Sequence, residues 1–386
     1  MPISIAGMQI ALGVAAAGLL LDLPRPLRTP LDWPLLALLL VAVASDLLSP
    51  YGVPRLAEAT LWRSALGFFI VAHGLRLLPP GSALRMLYWA CAGLLLSAVV
   101  GLVQYRSGVD LVHLLRLRAG AAMVDAPGVP ERFGAMGFFT SRLSFGHNAT
   151  VLVALLLGAL ASGAVPRNRV PLAAGAAVLG LSAVAVTFDR AAWLALGAAA
   201  LVILVFAVPR VRRALLPALA ILIALAALHG GIRDRFVSSF SAGANADRVF
   251  LWSRAKEIIR DHPLLGVGFA NYPRVCGRYY DRVDPGFSMR TWAHNLELSA
   301  LAEMGPLGLL AVLWLFGAAA LALYRRLQTG KLALGGLAAL AALFFIAQVH
   351  DVFYDTKVMY ALWLSLGLSL SPGPSLWRLW LPAKAG

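Results

Sequence analysis

The residues best placed to do chemistry in this 386-residue chain are one histidine and a set of arginines. His294 stands in Trp292-Ala293-His294-Asn295-Leu296, where the chain returns to an apolar stretch. A helix starting at Thr291 or Trp292 puts the imidazole in its first turn, beside Arg290 and the positive end of the helix dipole. A neutral imidazole in that place can accept a proton from a hydroxyl group. Glu297, further along the same helix, can orient the ring or stay in the core as a paired acid. The alternative is an interfacial histidine satisfied by Asn295 or a backbone carbonyl. Arg190 ends the short turn Thr187-Phe188-Asp189-Arg190 between two apolar stretches. Helices on both sides hold its guanidinium at the mouth, unless it only snorkels beside Asp189.

These groups need a scaffold, and composition says what kind. Hydrophobic residues make up 60% of the chain and charged ones 13%, with a mean hydropathy of +0.79. A soluble domain of this length needs a charged exterior that the chain does not supply. Apolar runs of membrane-crossing length are Ile3–Leu21, Trp33–Leu48, Leu56–Leu78, Ala83–Val103, Ser144–Ala164, Val170–Thr187, Ala191–Val208, Ala214–Gly230, Pro306–Tyr324, Leu332–Val349 and Val358–Leu370. The expected fold is therefore an all-α polytopic bundle of about 11–12 transmembrane spans, one integral-membrane domain over residues 1–386.

Orientation follows from the short loops. Arg25 and Arg28, Arg76 and Arg85, Arg167 and Arg169, Arg210 to Arg213, and Arg325, Arg326 and Lys331 fall on alternate connections, as expected of cytoplasmic ones. Arg378 and Lys384 put the C-terminus on the same side, and Met1–Gln9, without Lys or Arg, fits a translocated start. The opposite, outer face receives two long connections, 105–143 and 231–292. Topology thus accounts for about half of the cations behind the +15 net charge, and nucleic-acid binding is not indicated. The remaining arginines, Arg142, Arg190, Arg248 and Arg290 among them, map to the outer face. They suit an anionic ligand, because the planar guanidinium grips phosphate bidentately.

Within the second outer loop, Asn245 to Asp261 reads as an amphipathic helix. Asp247 can cap it, Val249, Phe250, Trp252 and Ile258 give it an apolar side, and Arg248, Arg254 and Arg260 share a polar one. Gly266-Val267-Gly268 lacks the third glycine and the βαβ setting of a dinucleotide site. It fits a tight turn before Phe269 and Tyr272 dock on the bundle. Cys91 and Cys276 belong at different depths and imply no disulfide. His350, Asp351, Asp355 and Lys357 form a polar cluster at another outer turn. No metal-ligand spacing is present.

These pieces together resemble the O-antigen ligase family of bacterial inner-membrane glycosyltransferases, which also holds O-antigen polymerases and protein O-oligosaccharyltransferases. The matching features are Thr187-Phe188-Asp189-Arg190-Ala191-Ala192-Trp193, Arg248, His262-Pro263-Leu264-Leu265-Gly266-Val267-Gly268, Ala293-His294-Asn295, and Ala302-Glu303-Met304-Gly305-Pro306-Leu307-Gly308. Asp189 departs from the family, which more often has a small hydroxyl residue there. The resemblance implies a GT-C-like architecture with a large periplasmic loop in the Gram-negative inner membrane. It also implies an inverting, metal-independent transfer without cofactor. The donor would be a glycan on undecaprenyl diphosphate and the acceptor a sugar hydroxyl of lipid A-core. By motif, Arg190 and Arg248 would bind the diphosphate and His294 would be the catalytic base. Arg142, Arg290, Asn295, Glu297 and Asp189 would support them. O-antigen polymerase and protein O-oligosaccharyltransferase are the near alternatives. A lipid-linked glycan flippase is the distant one, since the span centres are nearly free of charge apart from Arg63 and His73.

Overall fold

The computed structural model describes residues 29–52, 60–110, 132–238, 245–281, 283–284 and 292–371. Among them the chain is all-α. The helices are α1 (Asp32–Leu48), α2 (Thr60–Leu77), α3 (Ser82–Ser107), α4 (Arg142–Ala161), α5 (Val170–Ala185), α6 (Arg190–Phe206), α7 (Pro209–Leu228), α8 (Gly230–Val237), α9 (Ala246–Asp261), α10 (Tyr272–Tyr280), α11 (Leu296–Arg325), α12 (Ala333–Ala347) and α13 (Thr356–Leu370). Five stretches are long and apolar enough to cross a membrane: α3, α4, Arg167–Ala185, α7 and α11. Ser64–Leu77, α6, α12 and α13 are shorter apolar helices. The fold is thus a polytopic helical membrane bundle, and every expected span from Trp33 onward falls on one of these helices. Ile3–Leu21, Arg25, Arg28, residues 56–59 of the Leu56–Leu78 run, residues 111–131 of the first long connection, Arg290, Arg378 and Lys384 lie outside the described residues.

At the centre lie α12 and α13. Residues Val358–Leu370 of α13 are all buried, and α12 packs on α4, α6, α11 and α13. In lipid, helices associate through close packing rather than a hydrophobic drive, so small residues mark the contacts. A Cβ on Gly158 of α4 would lie 2.4 Å from the Cα of Gly335 on α12. Replacing Gly158 by leucine should separate these helices and destabilise the protein by about 1–3 kcal/mol. The check is the thermal midpoint in detergent beside Gly197→Leu, which enters open space on α6; equal midpoints for the two variants would refute the contact.

One span boundary needs correction. The run drawn from Pro306 to Tyr324 belongs to α11, which begins at Leu296 and breaks at Gly305 (φ 65°, ψ −166°). Pro306 has no N–H, so the carbonyl of Ala302 loses its helical donor. Outer-loop backbone supplies the replacement: Val267 N–H donates to Ala302 O at 2.8 Å and Gly268 N–H to Glu303 O at 2.9 Å. The single hydroxyl of Ser45 in α1 lies 2.7 Å from both Leu265 O and Glu303 O, where it can donate to either. A Cβ on Gly305 would sit 2.0 Å from Leu264 O, so only glycine lets the turn enter the break. The Gly266-Val267-Gly268 segment therefore fixes the loop onto α11, with Tyr272 buried just after it.

The described parts of the connection 231–292 are largely helical, as α8, α9 and α10. α9 buries Leu251, Ala255 and Ile258 against the bundle. Its apolar stripe thus differs from the expected one, and Val249 is exposed. Asn245 takes the N-cap position, and Asp247 lies in the first turn. Chain direction brings the starts of α4, α6, α11 and α13, the end of α12, and α9 to one end of the bundle. The described arginine-bearing connections, after α2, α4, α6 and α11, lie at the other end. There Arg212 donates to Ala207 O at 2.7 Å and Arg326 to Ser371 O at 2.9 Å.

Candidate active site at the mouth of the bundle

His294 stands two residues before α11 rather than inside its first turn. Asn295 is the N-cap, its Oδ1 accepting Leu298 N–H at 2.9 Å while its Nδ2 donates to Gln348 O at 3.1 Å. His294 has φ 52°, a left-handed conformation that a residue with a Cβ adopts only when its surroundings hold it. Asp351 does the holding. Its Oδ2 accepts the His294 backbone N–H at 2.7 Å and lies 2.9 Å from the ring Nδ1. Ser299 donates to its Oδ1 at 2.7 Å. Asp351 is 4% exposed and the His294 side chain 26%, so the carboxylate is inside and the imidazole reaches the mouth. Glu297 does not orient the ring; it accepts from Gln348 Nε2 at 3.0 Å. On the other side, Trp292 stacks on Tyr354 with centroids 4.3 Å apart, and the Tyr354 hydroxyl donates to buried Glu303.

The arginines converge on the same place. Arg248 reaches from α9 to the α12–α13 connection, its Nε donating to Val349 O at 3.3 Å and its Nη2 facing His350 Nε2 at 3.4 Å. Arg190 opens α6 and feels the charges of Arg235, Arg248, Asp189 and Arg142. Arg142 has a structural task, since its Nη1 donates to Thr187 O at 2.9 Å and Phe188 O at 3.2 Å. It thereby braces a turn in which Phe188 has φ 53°.

Asp189 is not simply the ion partner of Arg190. Its Oδ1 caps α6 through Ala191 N–H at 3.1 Å, and its Oδ2 meets Nε2 of His147 at 2.8 Å, both side chains being nearly sealed from solvent. Burial opposes its charge, but neighbouring His147, then His350 and Arg142, outweigh burial and hold the carboxyl well below the usual carboxylate range. The His350 ring lies 4.6 Å from that of His147 and 5.9 Å from that of His294. Burial, foremost, and the neighbouring Arg248 guanidinium push His350 well below the ordinary histidine range, against an opposing pull from Asp189.

Spacing along the chain does not reveal this group, because α4, the α5–α6 turn and the α12–α13 connection each give one residue. Its geometry also raises a metal question, since ligand atoms of His147, Asp189 and His350 all lie within 4.8 Å of one another. Three features weigh against a resident cation. His147 and Asp189 already touch at 2.8 Å, whereas two ligands about 2.0–2.1 Å from a tetrahedral zinc stand about 3.4 Å apart. Arg248 directs an N–H at His350, and Arg142 and Arg248 both act on Asp189. A group so surrounded suits an anion at its edge better than a cation at its centre.

The fold brings His294, Arg190 and Arg248, the residues expected from the sequence, to one mouth. Sequence reasoning misses His147, placed only inside an apolar span, and leaves His350 and Asp351 as an interfacial cluster. Residues 175–313 match a family model described as O-Antigen ligase. No curated protein matches the chain. The matched segment carries Arg190, Arg248 and His294, whereas His147, His350 and Asp351 lie outside it.

Proposed function

We propose, from the match of residues 175–313 to a family model described as O-Antigen ligase, that the chain is the lipopolysaccharide O-antigen ligase itself. It transfers a glycan from undecaprenyl diphosphate to a sugar hydroxyl of lipid A-core at the periplasmic face of a Gram-negative inner membrane. One observation carries this reading: a single short connection holds Arg248 through Val349 and His350 and holds His294 through Asp351. A phosphate-binding cation and a proton acceptor are thereby fixed side by side at the mouth.

The reaction assigns each group a part. With its Nδ1 turned to Asp351, His294 presents Nε2 to the acceptor hydroxyl and takes its proton. The freed oxygen attacks the anomeric carbon from the face opposite the diphosphate. The bond from that carbon to the diphosphate oxygen breaks, the configuration inverts, and the electron pair leaves with the diphosphate. Arg190 and Arg248 neutralise that departing charge from fixed positions, which is where electrostatic catalysis has most effect. Arg142 and Asp189 act behind them by holding the turn that carries Arg190, and Asn295 by capping α11 beside His294.

The test is the lipopolysaccharide of a deletion strain. A ligase leaves lipid A-core bare while long lipid-linked chains accumulate; a core bearing a single repeat unit would instead identify a polymerase. Metal dependence gives a second test. With guanidinium groups in the role that a divalent ion fills in many nucleotide-sugar transferases, transfer by purified protein should persist in excess EDTA. Activity lost on chelation and restored by magnesium or manganese would overturn the arginine mechanism and direct attention to His147, Asp189 and His350.

A further inference from the structure

We propose that His350 is a positioning residue that aims Arg248 at the donor diphosphate, so that the neighbours His350 and Asp351 set the diphosphate clamp and the base from one rigid connection. The proposal rests on the reading of Arg248 and His294 given above.

Arginine has only donors. The Nη2 contact to His350 Nε2 at 3.4 Å therefore requires a lone pair on Nε2 and leaves the ring proton on Nδ1, as in a neutral imidazole. The surroundings of His350, described above, favour that form. Arg248 is then tethered on the protein side by two N–H groups, through Val349 O and His350 Nε2, and the rest of its five-donor fork is left for a ligand. An arginine on a long flexible stem loses much rotamer freedom on binding phosphate, and a tether made beforehand removes part of that cost.

His350 is held in turn. Its ring packs at 4.6 Å against His147, which Asp189 engages at 2.8 Å. Asp189 also caps α6 at Ala191, the helix that Arg190 begins. Along this path the second clamp arginine and the support of the first share one buried group. On the other side, Asp351 holds both the backbone and the ring of His294. Adjacent residues of one connection therefore reach the base and the arginine.

The experiment uses the purified full-length protein in nanodiscs, with undecaprenyl-diphosphate-linked glycan as donor and lipid A-core as acceptor. Four variants separate the possibilities: His350→Gln retains an acceptor, His350→Phe keeps volume and loses the acceptor, Arg248→Ala removes the guanidinium, and the last combines His350→Phe with Arg248→Ala. Losing a hydrogen bond to a charged group should lower the donor kcat/KM about tenfold or more in His350→Phe, with a raised donor KM, a lowered kcat and the acceptor KM unchanged. His350→Gln should recover most of the loss. Since His350 acts through Arg248, the double variant should be no worse than Arg248→Ala alone. The proposal falls if His350→Phe keeps the wild-type donor KM, if His350→Gln is no better than His350→Phe, or if the two losses multiply in the double variant. Failure of the underlying reading looks different: wild-type protein then makes no product, or Arg248→Ala leaves the donor KM untouched.

Discussion

Replacing His294 by alanine should lower transfer by about 10²- to 10⁴-fold, the usual cost of removing a general base, while the protein stays inserted and monodisperse. Separation from folding is feasible because the fold at this point depends on the neighbours of His294. Asn295 caps α11 and ties it to Gln348, and Trp292 stacks on Tyr354. Alanine at 294 keeps the backbone N–H that Asp351 accepts and removes only the ring. Histidine already bears the strain of the left-handed φ of 52°, which alanine shares because both carry a Cβ, so the thermal midpoint should change little beside the large loss of rate. Asp351→Asn should give a similar profile in milder form, because an amide can donate to Nδ1 and favour the wrong tautomer. Near-normal turnover by well-folded His294→Ala protein would remove the base from this mechanism.

What the sequence discloses and what it hides follow from the range of the interactions involved. The spans are legible because lipid forces each to be continuously apolar. Gly305-Pro306 is legible as a breaker, yet the helix resumes across it, because backbone from the Gly266–Gly268 turn fills the vacancy that Pro306 creates. The partner of His294 is less accessible. Glu297 is three residues away and helical spacing points to it, but Asp351, 57 residues away, makes the contact. That pairing depends on how α11 sits against the end of α12, and no local pattern records it. His147 is hidden for a related reason. One imidazole in an apolar helix carries no signal until the α5–α6 turn brings Asp189 against it. Asp189 departs from the pattern that the resemblance implies, and its buried contact with His147 accounts for a carboxylate being held there.

Loss of either clamp arginine should be the other large effect. Arg190→Ala and Arg248→Ala should each reduce transfer by about 10²- to 10³-fold, the range seen when a fixed donor to developing negative charge is removed. Lysine tells more than alanine. It restores the charge but offers a compact ammonium in place of a planar fork, so Arg248→Lys cannot hold Val349 O, His350 Nε2 and a phosphate together. It should remain about 10- to 100-fold impaired, the equivalent of one charged hydrogen bond. Measurement at limiting donor and then at saturating donor divides the effect. A clamp that works in binding and in the transition state should lower both kcat/KM and kcat, whereas an arginine that only helps recruit the anion would recover at saturation. Arg142 supplies the contrast. Its guanidinium is spent on the Thr187 and Phe188 carbonyls, so Arg142→Lys should reduce the thermal midpoint along with activity. Full activity in both Arg190→Lys and Arg248→Lys at limiting donor would leave these two residues as parts of the scaffold, and the departing diphosphate would need another source of positive charge.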